Sequence, residues 1–391
     1  MKPLTLTTHD IIIVGAGVIG LATALKLLES GAKVRVLERG QAGMESSWAG
    51  GGILSPICPW DYTDAVTQLI HYSTALFPGW VAALHNATGI DPEYHQCGMT
   101  VLPPVDIQNA TAWCATHGIN MQRQILSMPL LVEENQHTVN DGSGSIEAVV
   151  LPEIAQIRNP RLLHALRQRV IQLGGHLVEN CCVHNWKVQQ NKILSVQSSC
   201  GIFEADNYII AAGAWSQRVL GEHALGLNIQ PVKGQMLLFK FDAQPLSTIV
   251  VQESLYLIPR QDGHLLLGST VENTGFDKRI TTSVRRKLLK QAQSILPQLH
   301  DSSVIGHWSG LRPYSPLNIP TISRHPELTN LYLNSGHFRY GVTMAPASAE
   351  ILANTITSSA QQIDVSPYQS GWSQCHSSPP TTHIQSPSSG F

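Results

Sequence analysis

The chain opens on an apolar run whose spacing changes part-way along. Residues 11–14 form an uninterrupted β-branched run, typical of a buried strand, whereas residues 21–30 carry apolar side chains at helical spacing. Gly15, Gly17 and Gly20 stand between them in the order G-x-G-x-x-G. Such glycines allow a tight turn, a close approach of the backbone to a pyrophosphate, and close packing of the helix on the strand. The pattern predicts a dinucleotide-binding βαβ unit.

The acid that such a unit needs ends a second strand-like run. Gly31 ends the helix, and KVRVLE closes on Glu38, eighteen residues after Gly20. A carboxylate at this place binds a ribose hydroxyl, which favours FAD or NAD over NADP without choosing between the first two. The opening run is too short for a membrane span because it meets Lys26 after fifteen residues, and Asp10 fits a secretory peptide poorly.

The rest of the chain alternates between helical and strand-like patterns. Apolar spacing predicts helices over residues 61–90, 160–173 and 283–295, with Asn159 capping the second. Strands are predicted at HLVENCCV, NYIIAAGAWS, GQMLLFKF, SLYLIPR, HLLLGST and NLYLNS, with hairpin turns at Gln190-Asn191 and Asp262-Gly263. A last helix follows GHFRYG.

These elements predict an α/β protein, α+β overall, of two interleaved domains. A Rossmann-like dinucleotide-binding domain is expected in three pieces, residues 1–75, 151–228 and 318–364. A substrate domain built on an antiparallel sheet is expected to be inserted twice, as residues 76–150 and 229–317. Residues 365–391 are rich in Ser, Pro, Thr and Gln, and we expect them to form a disordered tail.

Composition narrows the choice of partners. Charged residues make up 13% of the 391 and the net charge is −2, whereas nucleic-acid capture depends on a high density of Lys and Arg. We therefore expect no nucleic-acid partner, and no basic amphipathic helix suggests membrane docking. The seven cysteines are odd in number and form no C-x-x-C pair, so we predict neither disulfides nor a metal site, and a reducing, cytoplasmic location.

A second glycine cluster, Gly50, Gly51 and Gly52, lies in GMESSWAGGGILSP. One interpretation is a plain flexible turn. The other is a segment that runs flat against a second part of a long cofactor, since glycine allows close backbone approach. The sequence leaves both open.

Eight segments resemble, in order, the FAD-dependent amine and amino-acid oxidases that include D-amino-acid oxidase and sarcosine oxidase, and most of all the bacterial glycine oxidases of thiamine biosynthesis. They span residues 10 to about 356: IIIVGAGVIGLATALKL, SSWAGGGILSP, IRNPRLLHAL, IIAAGAWS, PVKGQML, YLIPR, SGLRP and GHFRYGVTMAPASA. The resemblance implies a glutathione-reductase-like FAD fold and FAD as cofactor. HWSGLRPYS contains no cysteine that could anchor the flavin as in sarcosine oxidase.

The resemblance also implies roles for three catalytic residues. Arg312 would pair with the substrate carboxylate, which a planar guanidinium matches with two parallel hydrogen bonds. The Tyr256 hydroxyl would hydrogen-bond to the same carboxylate. Judged without the resemblance, a tyrosine in a hairpin more often packs against a residue of the neighbouring strand. Arg339 would lie near the flavin or the mouth of the site, or else be a surface charge at a helix start. Tyr340 stands where several glycine oxidases have Asn, and Ile53 stands where some have Met. These two differences leave open which substrate side chain the pocket prefers.

The resemblance further implies which residues contact FAD. The start of the last helix, after Gly341, would direct its positive end at the flavin. The full set comprises Gly15, Gly17, Val18, Ile19, Gly20, Glu38, Arg39, Ser46, Ser47, Gly51, Gly52, Ile53, Val183, Ala212, Gly213, Trp215, His337, Phe338, Arg339, Tyr340, Gly341, Val342 and Thr343.

The implied activity is oxidative deamination of glycine or another small amino acid or amine, such as sarcosine, D-alanine or D-proline. O2 would be the acceptor, H2O2 a product, and thiazole synthesis for thiamine the purpose. No acid–base or nucleophile set is visible, which suits chemistry carried by a cofactor. The alternatives are a D-amino-acid dehydrogenase that reduces a quinone, an oxidase of modified transfer RNA, and a flavin-binding protein without turnover. A homo-oligomer is compatible with all of them.

Overall fold

The computed structural model describes residues 10–130, 144–300 and 303–373. The strands are β1 (Asp10–Val14), β2 (Lys33–Leu37), β3 (His95–Gln96), β4 (Met99–Leu102), β5 (Gln122–Ser127), β6 (Ser145–Leu151), β7 (Ala155–Gln156), β8 (His176–Val178), β9 (Val183–Gln189), β10 (Lys192–Ser198), β11 (Gly201–Phe203), β12 (Asn207–Ile210), β13 (Gln230–Lys240), β14 (Ile249–Gln252), β15 (Leu255–Pro259), β16 (His264–Gly268), β17 (Val304–Tyr314), β18 (Thr321–Arg324) and β19 (Leu331–Ser335). The helices are α1 (Val18–Glu29), α2 (Ser46–Ala49), α3 (Asp64–Thr88), α4 (Ile107–His117), α5 (Asn159–Gln172), α6 (Ser216–Leu220), α7 (Thr282–Gln293) and α8 (Gly341–Thr357).

A six-stranded sheet carries the predicted βαβ unit. Its order is β18-β19-β12-β1-β2-β8, and all pairs are parallel except β18 with β19. The central strands β1, β12 and β19 come from three distant parts of the chain. This sheet, with helices on it and a second sheet beside it, confirms the predicted fold class; the residue boundaries of the two domains stay a prediction.

Both faces of strand β1 are covered, which explains why its sequence is apolar throughout. Ile11 and Ile13 belong to a core that includes residues of α1, α3, α5 and α8. Ile12 and Val14 face the opposite way, into a core that includes residues of the small sheet β11-β10-β9.

The second large sheet has eight strands in the order β17-β13-β16-β15-β14-β4-β6-β5. Its pairs are antiparallel except β14 with β4, so the predicted antiparallel sheet is correct apart from this one pair. Helix α7 packs on one face through Leu288 and Leu289. The other face, with Met236 and Ile258, is turned toward the residues that follow α2, such as Ile57.

Two sequence predictions are wrong in detail. HLVENCCV does not form one strand: β8 ends at Val178, and β9 begins at Val183 in another sheet, because Asn180 takes a left-handed φ of 55° that breaks the extended chain. The predicted disordered tail also begins too early. Residues 366–373 form two short turns, and the side chains of Tyr368 and Trp372 are buried because apolar surface on the Rossmann-like domain covers them. Residues 374–391 lie outside the described part.

The hairpins at Gln190-Asn191 and Asp262-Gly263 are confirmed; both residues of the first pair have positive φ, as a tight hairpin requires. Among the helices of the described residues, none combines the length and the apolar character that crossing a bilayer demands.

Candidate active site

A cavity lies between the carboxyl ends of β1, β2 and β12 and the eight-stranded sheet. Its empty volume is about 1650 Å³, part of which is open to solvent. All the residues predicted from the sequence to bind cofactor or substrate line it, apart from Gly20. The lining also includes residues that the sequence did not single out, among them Gly234, Met236, Ser269, Gly310, Asn159, Cys181 and Cys182.

The glycine turn after β1 is closed to side chains. Gly15 has a φ of 109°, and a Cβ there would lie 2.4 Å from the Ala211 carbonyl oxygen. A Cβ on Gly20 would lie 1.9 Å from the Gly15 carbonyl oxygen. Gly20 therefore holds α1 against β1 and does not line the cavity. This was the packing role that the motif predicted for it.

The N-terminus of α1 faces the cavity. Its first residue, Val18, donates its N–H to the Ser47 Oγ at 2.9 Å, and Gly17 offers no side chain as a cap. The first turn of a helix carries unpaired N–H groups and a partial positive charge, which suits an anionic group such as a pyrophosphate.

Glu38, the residue after β2, is a buried carboxylate held by two backbone hydrogen bonds. Its Oε2 accepts the Ala16 N–H at 2.8 Å and its Oε1 accepts the Gly40 N–H at 3.0 Å. Beside it, the Arg39 guanidinium lies 3.7 Å from the centroid of the Trp215 ring. This end of the cavity combines a carboxylate with a flat, stacked surface, as the ribose and base of a dinucleotide require.

The glycine cluster after α2 is a rigid wall rather than a flexible turn. Gly52 has a φ of 78°, and a Cβ there would meet the Ile157 carbonyl oxygen at 2.0 Å. The Ile157 N–H donates to the Gly52 carbonyl at 2.8 Å. The Asn159 side chain donates to the carbonyls of Ser47 and Gly50 at 2.8 and 3.0 Å. Of the two interpretations of this cluster, the geometry supports a backbone surface held flat along the cavity.

The start of α8 forms the facing wall. Tyr340 precedes the helix without a side-chain cap, and Gly341, Val342 and Thr343 line the cavity. The Thr343 Oγ1 donates to the Ile53 carbonyl at 3.1 Å and so ties this wall to the glycine cluster. The Tyr340 and Tyr62 hydroxyls share a hydrogen bond. Burial raises the pKa of both phenols, so both are neutral.

His337 is neutral as well. It is buried, its Nε2 lies 3.0 Å from the Ser348 Oγ, and burial lowers its pKa to about 3. The fixed positive charge on this side of the cavity therefore comes from arginines and the helix end, not from this imidazole.

Arg312 is held by neutral groups alone. Its Nη1 donates to the Thr270 carbonyl at 3.0 Å and its Nη2 to the Ser269 Oγ at 2.6 Å. Among the described residues, no carboxylate lies within ion-pair distance of it. Burial lowers the pKa of Arg312, which the nearby Tyr256 opposes and Arg339 reinforces. Arg312 is half-buried, and a guanidinium partly removed from water with no anion beside it among the described residues is stabilised by a ligand that supplies one.

Tyr256 and Arg339 complete this end of the cavity. The Tyr256 hydroxyl donates to the Met236 sulfur at 3.2 Å, a weak acceptor that a ligand oxygen can replace. The Nε of Arg339 is buried and has no hydrogen-bond partner among the residues described. The structure thus brings Arg312, Tyr256 and Arg339 to one cavity; their roles in catalysis stay a proposal.

The residues present fit FAD. Gly15 and Gly52 line the cavity with bare backbone, and the first turns of α1 and α8 both face it. The carboxylate of Glu38 marks the ribose end, and at the other end the half-buried Arg312 and Arg339 have no carboxylate within ion-pair distance among the described residues. A long dinucleotide with a neutral ring system can connect the two.

Comparison with known proteins agrees with this arrangement. The chain is 41% identical over 363 residues to a glycine oxidase of Pseudomonas aeruginosa, covering 92% of this chain and 98% of the relative. It is 33% identical to a bifunctional protein ThiO/ThiG of Trichormus variabilis, covering 89% of this chain and 53% of that longer protein. The crystal structure of glycine oxidase from Geobacillus kaustophilus superposes with a TM-score of 0.83 at 26% identity, covering 92% of this chain and 98% of that one.

The family model described as DAO, FAD dependent oxidoreductase, matches residues 10–355. The resemblance that the motifs suggested is confirmed, as is FAD as the cofactor. This chain belongs to the DAO family of FAD-dependent oxidoreductases.

Proposed function

We propose that this chain catalyses the oxidative deamination of glycine or another small amino acid or amine with O2 as the acceptor. For glycine the balanced reaction is glycine, water and O2 to glyoxylate, ammonia and H2O2. Arg312 carries the proposal, because its half-buried guanidinium faces the cavity and is bonded, among the described residues, to neutral groups. A carboxylate is the ligand that this group binds best.

The side chains around Arg312 have separate tasks in this proposal. Arg312 binds the substrate carboxylate, and the Tyr256 hydroxyl turns from the Met236 sulfur to the same carboxylate. Bound FAD supplies the two-electron acceptor. The carboxylates among the described lining residues, Glu38 and Glu45, lie at the nucleotide end, so none is placed beside Arg312 as a base.

The biological role follows from the relatives rather than from the site. One relative is named ThiO/ThiG, and others are named glycine oxidase. We propose that this chain likewise serves thiazole synthesis for thiamine, with the product imine or glyoxylate passed on, in the cytoplasm. Sarcosine, D-alanine and D-proline are the other substrates to compare.

The test begins with the absorption spectrum of the purified protein, which should show bound flavin. Anaerobic addition of glycine should bleach the flavin, and admission of air should restore the colour and release one H2O2 per turnover. Bleaching without peroxide release would favour a dehydrogenase that reduces a quinone. A spectrum that none of the four substrates bleaches would contradict the proposed activity.

A further inference from the structure

Arg260 is a second buried arginine, behind the cavity wall rather than on it. It is 5% exposed and does not belong to the cavity lining. Its Nη2 donates to the Gly51 carbonyl at 2.8 Å, and its Nη1 donates to the Gln156 Oε1 at 2.5 Å. Its Nε has no hydrogen-bond partner in the described part of the chain.

The guanidinium of Arg260 has no anion beside it in the part of the chain that the structure describes. Within residues 10–130, 144–300 and 303–373, no carboxylate lies within 4.0 Å of Arg260. The two carboxylates that act on it from farther away, Glu93 and Asp262, are both bonded to Arg158, at 3.0 and 2.8 Å. Burial lowers the pKa of Arg260 to about 10, which still leaves it charged at neutral pH. A buried cation of this kind is costly, so structure alone does not account for it.

The contact with Gly51 directs this charge toward the cavity. The peptide bond between Gly51 and Gly52 is trans, so the Gly52 N–H points opposite to the Gly51 carbonyl, away from Arg260. Both glycines line the cavity, and no described residue accepts a hydrogen bond from the Gly52 N–H. A cation on the carbonyl strengthens the N–H of the same peptide as a donor, because hydrogen bonds in a chain polarise one another.

We infer that Arg260 is a positioning residue for the flavin site: it fixes and polarises the peptide between Gly51 and Gly52 and supplies a buried positive charge that favours negative charge on the bound flavin. In a medium of low dielectric constant, one peptide group of separation leaves such a charge strongly felt in the cavity. The inference depends on flavin binding and not on which amine is oxidised.

The test uses three variants of the flavin-loaded protein and two measurements that need no amine substrate. The measurements are the dissociation constant of sulfite, which adds to oxidised flavin as an anion, and the midpoint potential of the flavin. Arg260→Gln removes the charge. Gln156→Glu keeps Arg260 and places a carboxylate of nearly the same size against it, with the loss of the hydrogen bond from the Gln156 Nε2 to the Pro259 carbonyl. Arg260→Lys keeps the charge.

We expect Arg260→Gln and Gln156→Glu to weaken sulfite binding at least tenfold. Both should also lower the midpoint potential, by about 30 mV for each tenfold change in the equilibrium constant of two-electron reduction. Arg260→Lys should stay within about threefold of wild type, on the view that charge rather than fork geometry matters. The control is Arg279→Gln, which removes an exposed cation paired with Asp277 and should change neither quantity.

Two results would overturn the inference. One is wild-type sulfite affinity and potential in both neutralised variants. The other is a change in Arg260→Gln without any in Gln156→Glu, since that would reduce Arg260 to a support for the shape of the loop. If Arg260→Gln does not fold, Gln156→Glu decides alone. A protein that binds flavin but oxidises no amine would contradict the proposed function and leave these comparisons valid.

Discussion

At the scale of single residues, the site is defined by charges that the chain leaves without partners. Arg312 donates hydrogen bonds to a carbonyl and a hydroxyl but has no anionic partner among the described residues. The Arg339 Nε has no hydrogen-bond partner there at all. Outside the site some cations do have an anionic partner, as Lys26 has in Glu350 at 2.7 Å.

Replacing Arg312 with Ala should lower kcat/KM for glycine, because it removes one partner of the charge pair with the substrate carboxylate. The loss should correspond to about 2–5 kcal/mol of transition-state stabilisation. Steady-state kinetics would measure the loss, and the flavin content should be unchanged. Arg279→Ala, at an exposed position, is the control. Wild-type kcat/KM at low substrate in Arg312→Ala would show that the carboxylate binds elsewhere.

Gly234 should prove as sensitive as Arg312 itself. A Cβ there would come 2.1 Å from the Arg312 Nη2, so Gly234→Ala displaces the guanidinium without removing it. We expect KM to rise at least tenfold while the flavin stays bound. Gly79→Ala in α3 is the matched control, since a Cβ there meets nothing within 4 Å. Equal KM values for the two variants would mean that Arg312 does not need its observed position.

His337 predicts a pH dependence of stability. Its pKa is about 3 when folded and close to 6.5 when unfolded, so below pH 6.5 the unfolded chain binds a proton that the folded chain does not. The free energy of unfolding therefore falls as the pH drops from 6.5 toward 3, by at most about 1.4 kcal/mol per pH unit from this residue. Urea unfolding of His337→Gln should show a shallower pH slope than wild type. An unchanged slope, with the exposed His176→Gln as reference, would contradict this.

The sequence predicted the residues whose roles are written in local motifs, and missed those whose roles depend on a neighbouring strand. Gly15, Glu38 and Arg312 stand in recognisable segments and all line the cavity. Gly234 and Gly310 pair across β13 and β17, and Ser269, the residue after β16, reaches Arg312. Gly234 and Gly310 stand in the recognisable segments PVKGQML and SGLRP, but those segments do not show that the two glycines pair beside Arg312, because strand register is a property of the fold.

At the scale of elements, the glycine turn between β1 and α1 decides whether the nucleotide end of the cavity can form. Gly15→Val should abolish flavin retention, because a side chain there meets the Ala211 carbonyl and the φ of 109° excludes a β-branched residue. The ratio of flavin to protein absorbance after purification measures retention. Gly144→Ala, where a Cβ meets nothing within 4 Å, is the control. A yellow Gly15→Val protein would show that this turn does not hold the cofactor.

Helices and hairpins with strong end signals were predicted to within a few residues. The helix predicted over residues 283–295 is Thr282–Gln293, with Thr281 as its cap. The error at HLVENCCV arose because apolar content is continuous there, whereas a single left-handed residue, Asn180, redirects the chain from one sheet to another. Apolar content cannot reveal such a change of sheet.

At the scale of the whole molecule, the end of the described chain is part of the fold. The Trp372 Nε1 donates to the Ser323 Oγ at 2.9 Å, and the Tyr368 hydroxyl to the Ala65 carbonyl at 2.8 Å. The sequence suggested disorder here because Ser, Pro and Gln dominate the composition, while two aromatic side chains are enough to anchor a short segment.

Trp372→Ala should lower the free energy of unfolding by about 3–5 kcal/mol, the usual cost of removing a large buried aromatic side chain. Denaturant unfolding followed by flavin fluorescence would measure it. Gln369→Ala, exposed in the same segment, is the control. Equal stability of the two variants would show that the segment is not packed as described.

The interleaving of the Rossmann-like sheet has a consequence for how the protein is made. In the sheet β1 lies beside β12, and β12 lies beside β19. In the sequence the three strands are far apart, at residues 10–14, 207–210 and 331–335. At roughly 5–20 residues per second, a ribosome needs on the order of 15–60 s between the first strand and the last. For most of that time β1 can pair only with β2, because β12 and then β19 have still to be made, and the wall at α8 is untranslated. FAD can therefore bind only when translation is almost complete, and until then the apolar strands of the growing chain must be protected from aggregation.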